Sequence, residues 1–310
     1  NSINPLNWIK VGRRIRKEAP DLVIFKFWLP LLGPCFGTIG RIIRRNKISK
    51  IITILDNIIP HESRPGDKIF TRYFIKPNHG FIAMSESVLL DLGRLDSSKP
   101  VVYSPHPVFD NFGNAISREE ALSLLALDHS YRYILFFGLI RDYKGLDLLL
   151  QAFSDSRFRK MKIKVLVAGE FYTDSTPYYD LIKKNGLEEQ IVVHPNFIPD
   201  SEVAKWFCAA DLIVQPYKNA TQSGVTQIGY HFEKPMLVTN VGGLSEIIPH
   251  MKGGYVVSAE PKEIAHAIID FFSNDRYTQF TKGIKEEKVR FSWHTMAKNI
   301  SLLLDKINRI

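Results

Sequence analysis

Residues 136–153 read FFGLIRDYKGLDLLLQAF. An apolar run over 133–137 ends on Gly138, a short polar turn carries Arg141 and Lys144, and an amphipathic helical pattern starts at Gly145. The order strand, glycine, turn, helix suits anion binding: the glycine lets a ligand approach the backbone, and the helix start offers unpaired N–H groups. Arg141 and Lys144 stand three apart and can converge on one diphosphate, the Arg as a planar fork and the Lys as a mobile point charge. Taken alone, the same residues also suit a solvated turn with two surface cations.

Two further turns of the same kind follow. Thr221, Gln222, Ser223 and Gly224 lie between the strand pattern DLIVQP and the helical pattern VTQIGYHF, where a Ser-Gly pair supplies a hydroxyl, N–H groups and the positive end of a helix. By itself this is a plain helix cap. Asn240 to Glu246 (NVGGLSE) again joins a strand to a helix; Gly242 and Gly243 permit close approach, and Glu246 suits the first helical turn. All three turns follow strands at the carboxyl edge of one expected parallel sheet, the edge where ligands bind in open α/β sheets. Together they are much harder to dismiss than any one of them.

Outward from these turns, short apolar runs alternate with helical patterns along the whole chain of 310 residues, which predicts parallel sheets wrapped by helices. In the second part, strands are expected at 133–137, 162–168, 191–194, 211–215, 236–239 and 254–257. Helices are expected at 145–154, 177–186, 201–209, 224–232, 244–248 and 261–273, with 276–290 and 294–309 closing the chain. In the first part, strands at 21–27, 50–55, 80–84 and 100–104 alternate with helices at 6–18, 37–45, 68–76 and 86–95. The loop SPHPVFDNFGNA, residues 104–115, separates the parts, and Ser117 to Glu120 reads as a capping box after it. The domains expected are 1–115, 116–292 and a last helix, 293–310, returning to the first domain.

The stretches FFGLIRDYKGLDLLLQAF, KVLVAGE, IVVHPNFIPDSEVAKWFCAADLIVQPY and KPMLVTNVGGLSEII, in this order, make residues 131–272 resemble the donor half of glycosyltransferase family 4 (group 1), of GT-B fold. The resemblance implies an α/β chain of two Rossmann-like domains facing a cleft. It implies a retaining, nucleotide-sugar-dependent transferase whose donor diphosphate is held by Arg141 and Lys144. It adds Gly138, Gly169 and Glu170 to the donor site, a base-contacting loop at Asn196, Phe197 and Ile198, and the turn of Gly242, Gly243 and Glu246. One departure stands out. The family carries two glutamates eight residues apart, one near the sugar and one on the ribose, and counting back from Lys234-Pro235 places them at Ala220 and Ile228. Gln222, Ser223 and Gln227, with Gly224, are expected to take their place, and a non-catalytic nucleotide-sugar-binding homologue is the alternative.

The first part resembles the acceptor half more loosely, over 5–107. Its candidate catalytic residues are Asp56 and, five positions on, His61; Leu55 stands where the family has a histidine. The chain opens on a helix rather than a strand and has no glycine loop there, so strands upstream are expected to be missing. A first domain incomplete in this way is expected to bind donor without transferring sugar.

Composition narrows the rest. No Asp-x-Asp occurs, so no carboxylate pair of the metal-dependent type is present and charge neutralisation is expected from cations and helix starts, with no metal and no cofactor. No G-x-G-x-x-G follows a strand, which argues against a dinucleotide oxidoreductase. Two lone cysteines, Cys35 and Cys208, suit a reducing compartment, and no apolar run reaches the ~18–20 residues of a membrane span, so a cytoplasmic protein is expected. Residues 1–99 hold 17 Lys+Arg against 8 Asp+Glu, the remainder 24 against 24, so the net charge of +9 sits in the first third. Lys10, Arg13, Arg14, Arg16, Lys17, Arg41, Arg44, Arg45 and Lys47, interleaved with Trp8, Ile9, Val11, Ile15, Ile42 and Ile43, fit the inner face of an anionic membrane; a solvated basic face fits equally well. No nucleic-acid module accompanies the charge. The partners expected are a nucleotide-sugar donor and a saccharide or lipid-linked acceptor.

Overall fold

A computed structural model describes residues 2–59, 65–109, 111–220 and 223–309. The chain forms two compact units, 1–106 with 293–310, and 107–292.

The first unit opens with helix α1 (Pro5–Glu18), started by Asn4, whose side chain accepts from Leu6 N at 3.0 Å, and by Pro5, whose fixed φ suits a first turn. Then come β1 (Leu22–Phe27), α2 (Gly33–Ile43), β2 (Lys50–Leu55), α3 (Asp67–Ile75), β3 (Gly80–Ala83), α4 (Glu86–Leu95) and β4 (Val101–Tyr103). The strands lie in the order β1-β2-β3-β4, all parallel. Alternation along each strand sends Ile51 and Phe81 to one face, under α2, α3 and α4, and Ile52 and Ile82 to the other.

In the second unit, α5 (Arg118–Leu124) starts at Ser117, whose hydroxyl accepts from Glu120 N at 3.1 Å. Only this half of the expected capping box forms among the described residues. The alternation continues through β5 (Arg132–Phe137), α6 (Leu146–Phe153), β6 (Ile163–Ala168), α7 (Thr176–Lys184), β7 (Ile191–His194), α8 (Val203–Ala209) and β8 (Leu212–Gln215). It ends with α9 (Gly224–His231), β9 (Met236–Thr239), α10 (Leu244–Ile247), β10 (Gly254–Val257), α11 (Pro261–Ser273) and α12 (Tyr277–Lys288). The last helix, α13 (Trp293–Asn308), belongs to the first unit, where Met296, Leu303 and Ile307 cover Ile52, Ile82 and Val102.

The second sheet is parallel throughout, in the order β10-β9-β8-β5-β6-β7. Strand β5 is buried on both faces: Tyr133, Leu135 and Phe137 enter one core, Ile134 and Phe136 the other. That is why its sequence is a continuous apolar run rather than an alternating one. The chain winds outward from β5 to β7, then returns to place β8 on the other side of β5. The strand order reverses there, so the turns after β5 and β8 border the crevice of a doubly wound sheet.

The unit boundary falls at 106/107, inside the loop of residues 104–115, most of which therefore belongs to the second unit rather than to the first domain expected up to residue 115. Val108 is buried in the second unit's core, and its N–H donates to Phe291 O at 2.7 Å.

Candidate functional site

The turn after β5 is held open by glycine. Gly138 has φ +94 and leaves space that the Lys144 ammonium fills, 3.2 Å from where a Cβ would stand. Gly169, at the end of β6, passes so close that a Cβ there would lie 2.2 Å from Gly138 O. Ile140 N donates to Glu170 O at 2.8 Å, tying the two turns together. Residues 142–144 then form one 3-10 turn, closed by Gly145 N on Asp142 O at 3.0 Å.

Lys144 is 9% exposed, yet its ammonium makes no hydrogen bond or ion pair with a described residue. Burial, and then the neighbouring Arg141, push its pKa down from 10.5 to about 8. The Arg141 guanidinium lies 3.9 Å from the centre of the Tyr172 ring, and its Nε is buried without a partner. The carboxylates that could neutralise this pair are engaged elsewhere: Lys218 Nζ holds Asp142 at 2.7 Å and Asp147 at 3.0 Å. The arrangement keeps two cations unspent beside a helix start. Burying charge without a partner costs stability, so such a pair persists where an anion completes it.

Gly138, Gly169, Glu170, Phe197 and Ile198 line one cavity of about 400 Å³, with Phe112, Phe137 and Ile228 among its other walls. Phe197 is 69% exposed at its mouth. Asn196 precedes it in the turn after β7. The α9 turn lies at the same sheet edge. Ser223 caps that helix, its hydroxyl accepting from Val225 N at 3.2 Å and bonding Tyr217 Oη at 3.1 Å. Gly224 stands exposed at the helix start. Gln227 is buried, with its Oε1 unpartnered, and is not among the cavity's walls. Gln222 and Thr221 lie outside the described residues. Gly242 and Gly243 lead into α10, and Glu246 stands in its first turn, at the same edge after β9.

Residues 131–274 match the family model of glycosyl transferases group 1. The second unit thus carries a glycosyl transferases group 1 domain. An uncharacterized glycosyltransferase of Methanocaldococcus jannaschii is 24% identical over 98% of this chain and 80% of its own length. The D-inositol 3-phosphate glycosyltransferase 1 of Catenulispora acidiphila is 24% identical over 79% of this chain, which spans 56% of that relative. Among solved structures, Anabaena HepE in complex with UDP superposes with a TM-score of 0.76 at 15% identity, covering 96% of this chain and 82% of its own. A Rickettsia africae glycosyltransferase gives 0.75 at 19% identity, over 99% and 83%. The fold is GT-B, with parallel α/β units.

Two features of the first unit bear on the sequence reading. The first concerns the basic N-terminal third. Trp8, Val11 and Ile15 pack towards α2 against Cys35, Ile39, Ile43 and Ile51, and Ile42 sits against Gly12, so these partly buried residues serve the core. Other apolar side chains of this third are exposed, among them Ile3, Leu6, Trp28, Leu31, Ile48 and Ile69. The second concerns the acceptor-side candidates. Asp56, after β2, pairs with Lys26 at 3.4 Å and keeps Oδ1 buried without a partner. Burial raises its pKa, opposed by Lys26 and His106. His61 lies outside the described residues. Sequence reasoning missed Tyr172, Lys218 and Phe112. Tyr172 and Lys218 stand in turns at the ends of the apolar runs already identified, but only the fold shows what they touch.

Proposed function

We propose that the glycosyltransferase moves a sugar from a nucleotide diphosphate sugar to an acceptor hydroxyl, with retention of anomeric configuration, in the synthesis of a cell-surface polysaccharide or glycolipid. The buried, unpaired Lys144 beside Arg141, at the mouth of a nucleoside-sized cavity, carries this reading. The pair binds the diphosphate and, with the α9 N-terminus, stabilises the charge that grows on it as the sugar departs. Preorganised cations in a low-dielectric pocket do this without waiting for solvent to reorganise. The sequence supplies no Asp-x-Asp, and the reading gives the diphosphate charge to these cations rather than to a divalent metal. UDP and UDP-glucose complexes among the structural relatives support a nucleotide-sugar donor. The acceptor is a saccharide or a lipid-linked saccharide, approached from an anionic membrane through the basic first unit.

A screen of nucleotide sugars with and without EDTA tests this reading. Consumption of one donor that survives chelation, with product of the donor's anomeric configuration by NMR, is the expected result. Turnover abolished by EDTA and restored by Mg²⁺ would remove metal independence, and an inverted product would remove retention. A second reading, nucleotide-sugar binding without transfer, draws on Ala220 and Ile228 standing where the family has glutamates. It would be upheld by donor binding with no turnover for any acceptor.

A further inference from the structure

We propose that Phe112, on the segment leading into the second unit, is a wall of the nucleoside pocket and sets how tightly the base is held. The proposal rests on the nucleotide-binding reading above.

The 400 Å³ cavity has two chemically distinct ends. Its body is mainly apolar and aromatic, walled by Phe112, Phe137, Leu139, Phe197, Ile198 and Ile228, with the acidic residues Glu170 and Asp200 also in its lining. Its Gly138 side adjoins Lys144. A ligand with a flat ring at one end and anionic charge at the other matches both. A ring gains from burial and from aromatic faces whatever its hydrogen-bonding pattern.

Phe112 is held in place by two contacts independent of any ligand. Its ring meets Phe109 edge-on, with centroids 6.4 Å apart and planes at 84°, and Phe109 lies against Gly224, 3.3 Å from where a Cβ would stand. The next residue's carbonyl, Gly113 O, accepts from His231 Nε2 at 2.8 Å. Both anchors, Gly224 and His231, are the ends of α9, so the helix that presents its start at the sheet edge also fixes the aromatic wall. Phe112 also lines a second cavity of about 550 Å³, with Asn111, Asn114, Ser201 and Lys205. Removing the ring leaves the base without that face.

Calorimetric titration of the full chain with UDP and with inorganic pyrophosphate tests this, in Phe112→Ala, Phe112→Tyr and Lys144→Ala. Phe112→Ala should weaken UDP binding roughly ten- to hundredfold, the range of one lost aromatic face, and leave pyrophosphate binding unchanged. Phe112→Tyr should restore UDP binding, and Lys144→Ala should weaken both ligands. Unchanged UDP affinity in Phe112→Ala overturns the proposal. Equal loss of UDP and pyrophosphate in that variant also overturns it, since the residue would then be merely structural. If the unaltered protein binds pyrophosphate but UDP no better, the pocket is not a nucleoside pocket and the underlying reading falls with it.

Discussion

Lys144 is buried, cationic and unpaired, and two measurable properties follow from that. Its folded pKa of about 8 lies below the unfolded 10.5. The folded state therefore binds fewer protons between those values, and stability rises as pH climbs from 8 to 10.5; below 8 the full penalty applies, about 3 kcal/mol. Lys144→Met should raise the Tm of the ligand-free protein at pH 7 and flatten that pH dependence, checked by calorimetric melts. It should also weaken diphosphate binding, a trade of stability for function. A diphosphate binds the protonated lysine, so affinity should fall as pH rises above about 8, with proton uptake on binding between pH 8 and 9. Titrations in buffers of different ionisation enthalpy read this directly, and absence of uptake would remove Lys144 from the site. The identity of this residue was legible in the sequence from its spacing to Arg141. Its burial was not, because that depends on Gly138 and Tyr217, which come to it through the fold. Ser223 shows the converse: it was read both as ligand contact and as cap, and its hydroxyl is occupied by Val225 N and Tyr217 Oη.

At the level of the element, the turn after β5 works because Lys218 removes its carboxylates from competition. Lys218→Met frees Asp142 and Asp147 to pair with Arg141 and Lys144. Nucleotide affinity should fall about tenfold, the scale of one charge-assisted contact, with Tm changed little because Asp142 and Lys218 are solvated. A variant that binds as well as the original would show that the brace is incidental. Strand and helix identities were legible along nearly the whole chain, since fully buried parallel strands give unbroken apolar runs and the helices between them repeat with their own period. The elements differ from expectation mainly at their ends. Residues 200–202 form a 3-10 turn rather than the first turn of α8, and 142–144 form another before α6. Sequence periodicity does not separate one 3-10 turn from the start of an α-helix.

Over the whole molecule, charge and core are divided between the units. The second unit carries two buried clusters of its own, one on each face of its sheet, and every residue named for the diphosphate and cavity. A fragment of residues 107–292 should therefore fold and bind nucleotide within about threefold of the full chain, a difference under 1 kcal/mol; aggregation or loss of binding would show that the units depend on each other. The first unit carries the basic excess. Should it dock on membranes, the full chain should pellet with vesicles containing anionic lipid and be released by salt. Equal pelleting with neutral vesicles, or none with either, would return those residues to a solvated face. The sequence located this charge but left the role of its apolar companions open between core and membrane, because helical spacing does not say which side of α1 meets α2. The central claim is that Arg141 and Lys144 hold a nucleoside diphosphate. Isothermal titration of the full chain with UDP, GDP and dTDP at pH 7 tests it most directly. At least one should bind, and Arg141→Ala and Lys144→Ala should each weaken it by roughly 1.5–3 kcal/mol. Unchanged affinity in both variants, or no binding of any nucleoside diphosphate, would contradict it.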